Sequence, residues 1–257
     1  MLTQIMDLFL KHADTLRSPQ TAKFHALRCG PWVEGFRASQ AQQAMAAMTQ
    51  DMAGKYQATT INRTIGTVKK ALALAWERGI TRENYGLRIK RVPVGAARDV
   101  TVSVAQAKKI ADQASEAVRA AIWIALYTGM RRGEILALKP EDIGDDAITV
   151  RAGNTKTLKP RRVPIVAAVR PWLVYVPLGM NFEGLKTGFR RAREAARLAH
   201  VTFHDLRRSC GTLMVQAGVD LYVVSKVLGH SSIAVTAKHY AHLQIDRMRE
   251  GLEKTFG

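Results

Sequence analysis

Thr202–Thr212 reads TFHDLRRSCGT, and Val227–Leu243 reads VLGHSSIAVTAKHYAHL. In the first stretch His204 and Arg207 stand three residues apart, so a helix through them turns an imidazole and a guanidinium to one side while Arg208 points elsewhere. In the second, a Leu-Gly-His break closes one helical pattern at His230, and Tyr240 follows in another amphipathic segment. Each feature alone has a plain structural reading. His204 can cap its helix, His230 can follow a helix-ending glycine, and Tyr240 can pack in a core.

Upstream lie two further stretches of the same character. In YTGMRRGEILAL, residues 127–138, Arg131 follows a Thr-Gly break, and Glu134 three residues later can hold an arginine on the same helical face. NTKTLKPRR, residues 154–162, sits between the strand-like AITV at 147–150 and RRVPIV at 161–166, which reads as a hairpin with a basic tip. Around these boxes the pattern is helical: SVAQAKKIADQA with Ser103 as cap, the largely apolar AVRAAIWIALYTG, and FEGLKTGFRRAREAARLA with its cluster Lys186, Arg190, Arg191, Arg193 and Arg197. That cluster reads equally as duplex phosphate contacts or as a solvated face. Tyr222, ahead of the Leu-Gly-His break, is expected to pack in the core.

The N-terminal part is helical as well, most clearly in ATTINRTIGTVKKALALAWERG, where Ile61, Ile65, Val68, Leu72 and Trp76 are expected on one face and Arg63, Lys69, Lys70 and Arg78 on the others. Gly79 is a suitable C-cap. RVPVGAARDV, residues 91–100, has no sustained period and reads as a linker. The expected division is a helical domain at 1–97 and a second domain at 98–257, mainly α with a small antiparallel β-sheet.

The chain has 257 residues with 39 Lys and Arg against 21 Asp and Glu, a formal charge of +18 that calls for a polyanionic partner. Both halves share the excess: fifteen basic against seven acidic residues in 1–99, and 24 against 14 in 100–257. Two basic domains gripping one polyanion fit this better than a basic tail on a neutral body. With 47% hydrophobic residues, disorder is excluded as the main state. The longest apolar runs fall short of the roughly 20 residues needed to span a bilayer, so no membrane partner is expected. The N-terminus lacks a secretory pattern, and a cytoplasmic location is expected. Two distant cysteines, Cys29 and Cys210, read as buried thiols rather than a disulfide framework. His230, His239 and His242 lack ligand spacing with carboxylates or thiols, so neither a metal nor another cofactor is expected.

The boxes TGMRRGE, HDLRR, LGHSS and HYAHL, in that order, resemble the catalytic domain of the tyrosine recombinase, or phage integrase, family over residues 103–243. Residues 1–97 resemble, less specifically, the family's core-binding domain, chiefly through TINRTIGTVKKALALAWERG and NYGL. The resemblance implies a site-specific DNA recombinase that cleaves and rejoins duplex DNA through a 3′-phosphotyrosine and a Holliday junction, without metal or ATP. It further implies that Tyr240 is the nucleophile and that Arg131 and Arg207 clamp the phosphate. His204 would shuttle the tyrosine proton, and His230 would hydrogen-bond a phosphate oxygen. Lys156 would be the general acid, preferred over Lys159 in the same tip, and Glu134 would orient an arginine.

Such chemistry is consistent with elementary needs: an attached nucleophile, cations for the growing charge and an acid for the departing alkoxide. Arg63, Lys69, Arg161, Arg162, Arg190 and Arg191 are the expected DNA contacts. The partners implied are double-stranded DNA and three further copies of the chain, assembled on DNA from monomers as a C-shaped clamp, with accessory DNA-bending proteins left open. The amphipathic QIDRMREGLEKTF would dock on its own domain or, by family behaviour, on a neighbour. Integration or excision of a mobile element is the expected role. The alternatives are chromosome-dimer resolution, a type IB topoisomerase-like enzyme and a non-catalytic DNA-binding regulator.

Overall fold

In the computed structural model, residues 1–95, 99–152, 160–230 and 232–240 are described, together with 252, 253, 255 and 256. The chain divides into two units, Met1–Ala97 and Arg98–Gly257. Among the described residues no helix is long and apolar enough to cross a membrane.

The first unit contains α1 (Leu2–His12), α2 (Pro19–Arg28), the short α3 (Gly30–Val33), α4 (Ala41–Met52) and α5 (Ala58–Glu77). Its core is a cluster in which Leu2, Met45, Met48, Ile65 and Leu72 are fully buried. The inward stripe of α5 runs through Ile61, Ile65, Val68, Leu72 and Ala75, so Trp76, expected on that face, is instead about half exposed. A 3.6-residue period carries the stripe from 72 to 75, and position 76 rotates past it. Gly79 leaves the helix with a φ of +70°. Val92 is tied to α5 by the Asn62 side-chain amide, whose Nδ2 donates to the Val92 carbonyl at 2.7 Å and whose Oδ1 accepts the Val92 N–H at 2.8 Å, which fixes the path of the chain beyond residue 89.

The second unit is built around α7 (Glu116–Thr128), which follows α6 (Val104–Asp112). Ser103 accepts the Gln106 amide and Gln106 returns a bond to the Ser103 amide, a capping box that starts α6. Val118, residues 120–126 and Thr128 are all buried, as expected of a helix apolar all round. After α8 (Arg132–Leu136), β1 (Ala147–Val150) pairs antiparallel with β2 (Arg161–Pro164), Val150 opposite Arg161. The helices α9 (Arg170–Leu173), α10 (Phe182–Ala195), α11 (Phe203–Gln216), α12 (Leu221–Leu228) and α13 (Ile233–Tyr240) follow. Helix α11 packs along α7, and α12 packs on α11, α13 and β2. Among the described residues the fold is therefore mainly α with one small antiparallel sheet.

Candidate active site

Arg131 is the N-cap of α8, and its position is held from three sides. The Glu134 carboxylate accepts the Arg131 backbone N–H at 2.8 Å and its guanidinium at 2.8 Å. A second guanidinium nitrogen of Arg131 donates to the carbonyl of Gly229 at 3.1 Å, which links the start of α8 to the end of α12. Glu134 is 1% exposed and is also gripped in a fork by Arg161, at 3.0 and 2.7 Å. Burial pushes the Glu134 carboxyl up, but hydrogen bonds and charge from Arg161 and Arg131 outweigh it and hold the group below the usual carboxylate range.

Arg207 reaches the same place from α11. It is buried and donates to the carbonyl of Gly129, the left-handed cap of α7. A Cβ on Gly129 would lie 2.4 Å from Leu228 and 3.3 Å from Cys210, so only glycine leaves room for the turn that presents this carbonyl. The Cys210 thiol behind it is buried, and loss of water raises its pKa to about 11, which leaves it an unreactive packing group.

His204 lies at the start of α11, where Thr202 and Asp205 form the cap; the Asp205 carboxylate accepts the Thr202 amide at 2.7 Å. The cap role allowed for His204 thus belongs to its neighbours. Loss of water around the ring, then the charges of Arg207, Arg208 and Arg131, lower the His204 pKa below 6.5, with Asp205 opposing. A ring held neutral near physiological pH can accept a proton. His230, one residue after the left-handed Gly229, shares a 2.8 Å hydrogen bond between Nδ1 and the Oγ1 of buried Thr236 on α13. Tyr240 is the last residue of that helix.

Arg131, Glu134, His204, Arg207 and His230 are therefore brought together from α8, α11 and the end of α12. Lys156 and its rival Lys159 lie outside the described residues, as does the Tyr240 side chain. The expected DNA contacts divide. Arg63, Arg162, Arg190 and Arg191 are exposed, with Arg162 paired to Asp146 at 2.8 Å. Arg63 lines a basic cleft of the first unit with Arg17, Lys70 and Arg91.

One of the expected contacts, Arg161, is corrected, and a second, Lys69, is engaged within the fold. Arg161 faces inward onto Glu134 because it shares the β2 face of buried Val163, two residues on. Lys69 is half-buried and donates to the Ile89 carbonyl at 2.9 Å, tying α5 to the turn beyond it. In the α10 cluster Lys186 pairs with Glu183, and Arg193 donates to the Val201 carbonyl. Tyr222, expected in the core, is 56% exposed under the Lys226 ammonium, because Val224 and Leu228 take the inward face of α12. Among the described residues no group of three or more His, Cys, Asp or Glu could hold a metal ion.

The phage integrase family matches residues 99–176 and 179–247, more than half of the chain. The chain belongs to that family. It is 29% identical to the tyrosine recombinase XerC of Mycobacterium leprae over 74% of this chain and 75% of that protein. It is 26% identical to the tyrosine recombinase XerA of Pyrococcus furiosus over 93% and 88%. Among solved structures, the Tn1549 transposon integrase in complex with a circular intermediate DNA covers 99% of both chains with a TM-score of 0.74 at 19% identity. A lambda integrase tetramer bound to a Holliday junction gives 0.74 at 17% identity, covering 92% of this chain and 76% of that one. At these identities the structural likeness speaks for the fold.

Proposed function

We propose that this chain is a site-specific DNA recombinase that breaks and rejoins duplex DNA through a covalent tyrosine intermediate. The observation that carries the reading is the convergence of Arg131, Arg207, His204 and His230 at the ends of α8, α11 and α12, in a member of the phage integrase family whose α13 ends on Tyr240. The Tyr240 oxygen attacks the scissile phosphorus, its proton passing to His204, and the bond to the 5′ oxygen breaks as the 3′-phosphotyrosine forms. The guanidiniums of Arg131 and Arg207, with His230, hold the non-bridging oxygens, and Lys156 protonates the departing 5′ oxygen. Because one phosphoester replaces another, no external energy source is required, and the released 5′-hydroxyl of a partner strand reverses the step.

The second unit serves as the catalytic domain, and the first, with its cleft of Arg17, Arg63, Lys70 and Arg91, grips the duplex. The assembled form is a tetramer on two sites, by analogy with the lambda integrase tetramer on a Holliday junction. The enzyme works in the cytoplasm on a mobile element's DNA. Incubation with suicide duplexes carrying the target sequence tests the reading. A covalent protein–DNA adduct is expected from the wild type and from Tyr222→Phe, and none from Tyr240→Phe. Binding of DNA without any adduct would leave a regulator rather than an enzyme.

A further inference from the structure

The guanidinium of Arg161 has no place in the chemistry above, yet it is among the most constrained cations of the second unit. Its side chain is 11% exposed, against 68% for its strand neighbour Arg162. It makes a fork to both oxygens of Glu134, and its Nε donates to the Val227 carbonyl at 3.2 Å. A Cβ on Gly229 would stand 2.8 to 3.0 Å from Cδ, Nε and Cζ of Arg161, so the glycine before His230 is shaped around this side chain. One residue thus joins β2, the N-terminus of α8 and the last turn of α12.

The electrostatic consequence is specific. Glu134 alone with Arg131 would form a neutral pair, and a clamp neutralised by its own orienting group attracts a phosphate weakly. With Arg161 on the same carboxylate, the trio carries one net positive charge, and it is Arg131, 23% exposed, that stands nearer to solvent. We propose that Arg161 is a positioning residue for strand cleavage: it neutralises Glu134 from the buried side, so that Glu134 can orient Arg131 without cancelling the charge Arg131 brings to the scissile phosphate. This rests on the proposed recombinase activity and replaces the expectation that Arg161 contacts DNA.

The test compares adduct formation on a suicide duplex at saturating protein, below the unfolding temperature of every variant, with duplex affinity measured separately by fluorescence anisotropy. Arg161→Met is expected to slow cleavage about 100-fold, the scale of losing one charge-stabilising donor, with little change in affinity. Arg161→Lys keeps the charge and is expected to stay within about tenfold of wild type. Adding Glu134→Gln to Arg161→Met removes the charge that needs balancing and is expected to recover at least about tenfold of the lost rate. A purely structural brace would make Lys as slow as Met and leave the double variant no better than Arg161→Met; either result overturns the proposal. A loss of affinity that matches the loss of rate also overturns it, in favour of direct phosphate contact. If the wild type forms no adduct, the recombinase reading itself fails; if it does and the variants depart from this order, only the role of Arg161 fails.

Discussion

At the residue scale, the most exacting positions are glycines. Gly229 has a φ of +63°, accepts Arg131 on its carbonyl, and leaves no room for a methyl group beside Arg161. Gly229→Ala is expected to cost about 1–3 kcal/mol of stability from backbone strain alone, and to slow cleavage because the displaced carbonyl and the displaced Arg161 both act on Arg131. Thermal melts and adduct-formation rates of the variant check this; an unchanged melting temperature would mean that neither the left-handed backbone nor the close approach of Arg161 constrains this position. The sequence exposed these positions unevenly. His204, Arg207 and His230 are legible because order and spacing survive in one dimension. Arg161 was misplaced, though strand alternation carried a usable signal: Val163 is apolar, so position 161 shares its inward face.

Among elements, the contact of α2 with α5 contains a titratable group. His25 is 8% exposed, and its Nδ1 shares a 3.3 Å hydrogen bond with Thr64 Oγ1. Burial, then the charges of Arg28 and Arg63, lower its pKa below 6.5. The folded unit therefore holds His25 neutral. Its contribution to stability is fully present above pH 6.5 and is lost as the pH falls through the lowered folded value, where the unfolded chain already binds the proton. The melting temperature of the wild type is expected to drop between pH 7.5 and 5, and less so in His25→Gln; equal drops would assign the acid sensitivity to other groups. Periodicity located α5 and its buried stripe, but rotation past Ala75 moved Trp76 outward, and the same effect placed Tyr222 on the outer side of α12. Such errors arise because apolar residues at the edge of a stripe have no intrinsic side until the neighbouring helix is in place.

For the whole molecule, the formal charge of +18 is the governing quantity. It divides between cations drawn into the site and cations left on the surface, and only the latter exchange counterions for phosphates. Binding to duplex DNA is expected to weaken steeply with salt, with a log–log slope of about 0.9 in magnitude for each phosphate neutralised. Replacing Arg190 and Arg191 by alanine should reduce that slope by about 2, whereas Arg161→Met should leave it unchanged. Affinity titrations across a range of salt concentrations distinguish the two groups.

Composition and the ordered boxes were enough to place the chain in its family, to give its helical character with an antiparallel strand pair, and to point to the arginines and histidines that the fold gathers at the candidate site, because charge, helical period and spacing are properties of the chain itself. Only the tertiary structure decided which cations stay at the surface and which hold the site together. Arg161 and Arg162 are adjacent and chemically identical, and what separates them is a buried carboxylate 27 residues from Arg161, brought within 2.7 Å by packing between β2 and α8. The role of a charge depends on the partner folding places beside it, and that partner is not its neighbour in sequence.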